Sequence, residues 1–176
     1  TILTEAGNVD IRVVTPQHTE EKLPVILYLH GGGWMLGGKE SFDMLIKKLA
    51  VFTNSTVIFP DYSRSPEVQY PTALNEIYAV LEYIFQNPEE FNIDPERIAI
   101  AGALAESEEE RLIGFIKKLL SDVFVPIFIF TAKQPSTVID SLKEASLWDD
   151  EKTNRIFVKQ KIDVDSEEEL FSAITE

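Results

Sequence analysis

The apolar positions of this chain fall into two recurring patterns. Val9 to Val14 alternates residue by residue, with Val9, Ile11 and Val13 on one side and Asp10 and Arg12 on the other. That period predicts a half-exposed strand near a sheet edge. Val25 to Leu29 is an unbroken apolar run, as expected of a strand buried on both faces, and Thr56 to Phe59 repeats it before Pro60-Asp61-Tyr62. Between them Phe42, Leu45, Ile46 and Leu49 recur at helical spacing, with Lys47 and Lys48 turned outward. A second helical stripe follows at Leu74, Ile77, Tyr78, Leu81, Ile84 and Phe85. Asn92 to Glu96 reads as a turn, and Arg97 to Ala101 as a further strand.

The alternation continues to the end. Ser107 with Glu110, and Ser166 with Glu169, have capping-box spacing and predict two helix starts. Leu112, Phe115, Ile116, Leu119 and Leu120 give the first of these helices its buried stripe, and Val138, Ile139 and Leu142 mark another helix. Val125 to Phe130 and Arg155 to Val158 read as strands. Strands alternating with helices imply parallel strands joined by right-handed crossovers. The expected fold is a three-layer α/β/α, doubly wound, mostly parallel sheet of about seven strands with an antiparallel N-terminal edge. Residues 1–176 are expected to form a single α/β domain.

Composition narrows the function classes. The 176 residues carry a formal charge of −14, which disfavours nucleic acid and anionic membrane surfaces. With no cysteine, disulfides, thiolate metal sites and a cysteine nucleophile are excluded. No apolar run approaches the roughly 20 residues of a membrane span. Thr1-Ile2-Leu3-Thr4 lacks the order of a signal peptide and an initiator methionine, so a processed, trimmed or engineered start is expected. The predicted location is soluble: cytoplasmic for a natural protein, otherwise recombinant.

The densest chemical signal is His30-Gly31-Gly32-Gly33-Trp34 at the end of the first buried strand. Consecutive glycines turn tightly and offer bare amide N–H groups, which suit an oxygen that becomes negative during reaction. A strand followed by HGGGW is the oxyanion-hole pattern of lipases and esterases. Asp61-Tyr62-Ser63-Arg64-Ser65-Pro66-Glu67, then Tyr70-Pro71-Thr72-Ala73-Leu74, and Asp94 to Gly102 complete a set of motifs. With them residues of about 9–102 resemble the hormone-sensitive-lipase-like branch of the α/β-hydrolases. The resemblance implies an oxyanion hole at Gly31, Gly32 and Gly33, and a structural rather than catalytic role for His30. It also implies D-S-A-G-G after Gly102, where this chain has Ala103-Leu104-Ala105-Glu106-Ser107. Leu104 thus stands at the expected nucleophile position, and no histidine follows His30, so no residue is assigned as catalytic. The other histidine, His18, lies in a polar stretch and reads as a solvated loop residue.

Residues of about 108–176 resemble the last part of a response-receiver domain, a flavodoxin-like fold. Thr131, Ala132 and Lys159 match that family's strand-end positions, and the resemblance implies phosphoryl binding at the first and last of them. Its acceptor aspartate and its Mg²⁺-holding acidic pair have no counterpart here, so Thr131 and Lys159 are expected to be remnants. The acidic groups Asp149-Asp150-Glu151 and Asp163-Val164-Asp165 lack calcium-loop spacing.

Three functions follow. The leading expectation is a designed or chimeric α/β protein, hydrolase-like over 1–102 and receiver-like over 103–176, with no natural catalytic activity. The alternatives are a remnant carboxylesterase or lipase with weak ester hydrolysis, and a receiver-like interaction module. No cofactor, no metal and no obligate ligand are expected. An exposed edge strand can pair with a second copy, which leaves a homodimer open.

Overall fold

The computed structural model describes residues 1–17, 21–104, 113, 116–117, 126–131, 135–148 and 156–160. It divides into two compact units, residues 1–98 and 99–176.

The first unit is built on a mixed sheet. β1 (Ile2–Thr4) and β2 (Gly7–Val14) form an antiparallel hairpin with Thr4 opposite Gly7. The Thr4 hydroxyl donates to the Gly7 carbonyl at 2.9 Å, and Gly7 takes φ +108, which the tight turn requires. β2 then runs antiparallel to β4 (Thr56–Asp61), Asp10 facing Asp61 and Val14 facing Val57. β4 is parallel to β3 (Leu23–Leu29), with Val25 opposite Thr56. The antiparallel N-terminal edge and parallel interior agree with the expectation.

Both helices of this unit match their stripes. α1 (Lys39–Thr53) buries Ile46, Leu49 and Ala50 and lies against β4 and β2. It ends at Asn54, whose φ of +47 turns the chain left-handed, and Ser55 N–H closes the turn on the Ala50 carbonyl at 3.2 Å. α2 (Thr72–Gln86) buries Leu74, Ile77, Ala79, Val80, Leu81 and Ile84, and lies against β1 and β2. Leu27, Ile58, Phe59, Ile46, Leu49, Ile77, Leu81 and Ile84 are all below 2% exposed. Burying one such side chain contributes about 1.5–3 kcal/mol.

Two sequence expectations are corrected here. β5 spans Ile93–Leu104, so it begins inside the stretch read as a turn. The turn is confined to a 3₁₀ segment at Pro88–Phe91 and to Asn92 at φ +50. Asn92 accepts from Leu23 N–H at 3.3 Å, and Arg97 donates to the Lys22 carbonyl at 2.9 Å, which carries extended backbone back past Pro95. Val13 is 39% exposed although Val9 is buried, so the alternating face of β2 is not buried along its whole length.

In the second unit the end of β5 pairs in parallel with β6 (Ile127–Thr131), from Ile100 opposite Ile127 to Leu104 opposite Thr131. β6 is parallel to β7 (Ile156–Gln160), from Ile127 opposite Ile156 to Thr131 opposite Gln160. α3 (Pro135–Glu144) buries Val138 and Leu142 and lies against β7. The helix starts read at Ser107 and Ser166 fall outside the described residues.

Candidate functional site

β3 delivers the chain directly into the glycine loop. Gly32 and Gly33 take φ of +131 and +63. The loop closes on itself, with Met35 and Leu36 N–H groups both donating to the Gly32 carbonyl, at 3.2 and 2.9 Å. A methyl group on Gly32 would stand 2.3 Å from the Leu36 carbonyl oxygen, so only glycine fits there; on Gly33 it would meet nothing within 4 Å. Among the described residues none accepts a hydrogen bond from the amides of Gly31, Gly32 or Gly33. Gly32 is exposed, and Gly31 and Gly33 are half-buried. These amides therefore have no partner among the described residues.

His30 is 3% exposed and lies under this loop. Its ring is stacked on Tyr62, with centroids 4.2 Å apart and planes 1° from parallel, and on Phe59 at 5.3 Å. Nδ1 is 3.0 Å from the Gly31 carbonyl. A carbonyl only accepts, so Nδ1 carries the proton of the neutral ring. Burial pushes the imidazole pKa down, and Arg64 adds to the fall, against the Gly31 bond and the charge of Asp61. His30 is therefore a buried ring held between Tyr62 and Phe59, with burial favouring its neutral form.

A second strip, Asp61 to Ser65, leaves the end of β4 and grips the loop. The Tyr62 hydroxyl donates to the His30 carbonyl at 2.6 Å. Arg64 Nη1 donates to the Gly37 carbonyl and to Asp61 Oδ1, each at 2.9 Å. Lys39 Nζ lies 3.8 Å from the other Asp61 oxygen. Ser65 N–H donates to the Trp34 carbonyl at 2.8 Å. Trp34 sits at φ +62, a left-handed conformation that a bulky residue adopts only under restraint, and its ring packs 5.5 Å from Tyr62. Asp61 and Arg64 thus form a local charge pair within the strip.

Glu76 was missed. It lies on α2 among apolar neighbours, yet is only 7% exposed. Oε2 accepts from Ser63 N–H and Oε1 from the Ser63 hydroxyl, both at 2.7 Å. The signal available was a single acidic residue two places after Leu74 in an otherwise apolar helix face.

The remaining sequence candidates lie elsewhere. Leu104 ends β5 and is the backbone partner of Thr131, the last residue of β6; Lys159 is in β7 opposite Phe130. The register thus brings Leu104 and Thr131 to neighbouring strand ends. His18, Ser107 and both acidic groups, 149–151 and 163–165, are outside the described residues. Among the described residues no helix is long and apolar enough to cross a membrane.

Comparison with known proteins bears on these features. Residues 26–105 match a family described as alpha/beta hydrolase fold. The chain is 34% identical over 134 residues to carboxylesterase NlhH of Mycobacterium tuberculosis, a match covering 76% of this chain and 41% of that protein. It is 40% identical over 99 residues to an acetyl esterase of a Salmonella schwarzengrund strain, covering 56% and 30% of the two chains. Among solved structures, a bacterial heroin esterase is similar with a TM-score of 0.63 and 36% identity, over 73% of this chain and 41% of the other. The chain thus spans well under half the length of these relatives. These findings correct the leading functional expectation. A match of 134 residues is longer than either side of the proposed splice at Gly102 to Glu106, so it runs through that splice. The similar proteins are named carboxylesterases and acetyl esterases, which favours the alternative of a remnant carboxylesterase over a designed chimera without function.

Proposed function

We propose that this chain, an α/β-hydrolase segment over residues 26–105, is the ester-binding portion of a carboxylesterase-type hydrolase. Its proposed activity is weak hydrolysis of activated, short-acyl esters. The doubly wound, three-layer arrangement of about seven strands belongs to the same proposal. The observation that carries it is the pair of open amides at Gly32 and Gly33, held by a loop whose shape only glycine permits.

In this reading the ester carbonyl oxygen sits against the Gly32 and Gly33 amides. Water attacks the carbonyl carbon, the C=O π pair moves onto oxygen, and the two N–H groups stabilise the resulting oxyanion. Collapse expels the alkoxide or phenolate, and the proton from the attacking water passes to solvent. Among the described residues no side chain is assigned to activate the nucleophile: the sequence puts leucine at position 104, and the imidazole of His30 is buried under Tyr62. Serine proteases stripped of their triad retain roughly 10³–10⁴-fold catalysis over water from the oxyanion hole and binding, and a similar ceiling applies here.

The test is hydrolysis of p-nitrophenyl acetate by the purified chain, with and without Gly32→Ala. Saturable turnover above the buffer rate that disappears in the variant supports the reading. A rate equal to buffer, or one unchanged by the variant, overturns it.

A further inference from the structure

Resting on that reading, we infer that Glu76 is a positioning residue for the oxyanion loop, acting through Ser63. The strip from Tyr62 to Ser65 divides its contacts between two partners. Tyr62, Arg64 and Ser65 take hold of the loop at three separate carbonyls, those of His30, Gly37 and Trp34. Ser63 alone faces the other way, and both its donors go to Glu76 on α2. Glu76 thus ties to a packed helix, through Ser63, the strip whose other three residues clamp the glycine loop.

The local physics favours this role over a purely stabilising one. Burying a carboxyl group is costly unless its oxygens are bonded, and an apolar residue of similar volume often serves stability as well. Glu76 is flanked by Ile77 and lies one turn from Val80, both fully buried, so an apolar side chain would suit this face of the helix. What an apolar side chain cannot do is hold a backbone N–H and a hydroxyl of one residue at fixed positions. Two 2.7 Å bonds to the same serine leave the strip little freedom to rotate. The strip's next donor, Ser65 N–H, reaches Trp34, which is directly joined to Gly33 and held at a conformation it would not keep unaided.

The experiment compares Glu76→Leu and Glu76→Gln with the parent chain. Glutamine keeps an acceptor for Ser63 N–H and offers its amide to the Ser63 oxygen, whereas leucine keeps neither. Two readouts are taken: amide hydrogen exchange at Ser65, with Leu27 and Ile58 as core references, and kcat and KM for p-nitrophenyl acetate. In Glu76→Leu, Ser65 protection is expected to fall about tenfold or more with the core references unchanged, the scale expected for losing two buried hydrogen bonds. kcat is expected to fall with KM nearly constant, because the oxyanion exists only in the transition state. Glu76→Gln is expected to restore both. Unchanged Ser65 protection in Glu76→Leu, or equal losses at Ser65, Leu27 and Ile58, would overturn the inference. If the parent chain shows no hydrolysis, the functional reading fails, and the exchange pattern still decides whether Glu76 holds the loop.

Discussion

The hydroxyl of Tyr62 donates to the carbonyl of His30 at 2.6 Å while the two rings lie flat on each other at 4.2 Å. One residue of β4's exit thereby fixes both the backbone and the side chain of the residue that opens the glycine loop. Tyr62 is 3% exposed, so its hydroxyl has no ready exchange with solvent. Tyr62→Phe keeps the stack and leaves a buried carbonyl short of a donor. The expected cost is about 1–3 kcal/mol, read as a lower urea midpoint at unchanged slope.

The glycines differ in what they tolerate. Gly32→Ala places its methyl 2.3 Å from the Leu36 carbonyl oxygen, so the loop has to open and the Leu36-to-Gly32 bond at 2.9 Å is lost. Gly33→Ala meets no atom within 4 Å and costs only the left-handed backbone, about 1–2 kcal/mol. Both variants keep their amides, but only the second keeps them in place. Ester hydrolysis should drop by about 10²-fold or more in Gly32→Ala, the scale of losing one oxyanion donor, and stay within a few-fold in Gly33→Ala. Parallel steady-state assays on the two purified variants make the comparison.

Much of this arrangement is legible in the order of apolar and polar residues. β3 and β4 are continuous apolar runs, and α1 and α2 keep a clean helical stripe, so their packing obeys the pattern. The β1 hairpin escapes such a reading because three residues carry no period. The start of β5 escapes it because Asn92, Asp94 and Pro95 are turn formers, and the pairing that extends them comes from Leu23 and Lys22, some seventy residues away. Glu76 is hidden for a related reason: its partner, Ser63, lies 13 positions back, and an acidic residue on a helix ordinarily faces water. The chimeric reading weighs a five-residue break at 103–107 above similarity spread thinly over 134 residues, and the longer match outweighs the break.

Stability should depend on pH through His30. Burial holds its pKa below the usual 6.5, so the folded chain resists protonation more than the unfolded chain does. The unfolded state then binds more protons between the two values, and the free energy of unfolding rises with pH in that window. The contribution of His30 is therefore complete above about pH 6.5 and is lost as pH falls toward and through the depressed folded value. Urea midpoints measured from pH 7.5 down to 5 should decline. The decline should be shallower in His30→Phe, which keeps an aromatic ring against Tyr62 but has nothing to titrate. Equal slopes for the two chains would assign the effect to other groups. A His18→Gln background removes the second histidine from the comparison.

Restoring a hydroxyl at position 104 should not restore a serine nucleophile. A serine is activated by a base within hydrogen-bond reach that is itself oriented by a third group. The chain holds two histidines, His18 and His30. His30 is committed to the stack with Tyr62 and to the Gly31 carbonyl, and its burial removes it from any role as a solvent-exchanging base. Leu104→Ser should therefore remain unlabelled by a fluorophosphonate probe over hours, with an intact mass equal to that of the untreated variant. Its hydrolysis of p-nitrophenyl acetate should stay within about threefold of the parent, since the glycine amides rather than a covalent acyl-enzyme set the rate. Stoichiometric labelling of the hydroxyl introduced by Leu104→Ser would show that another group in this chain serves as the base.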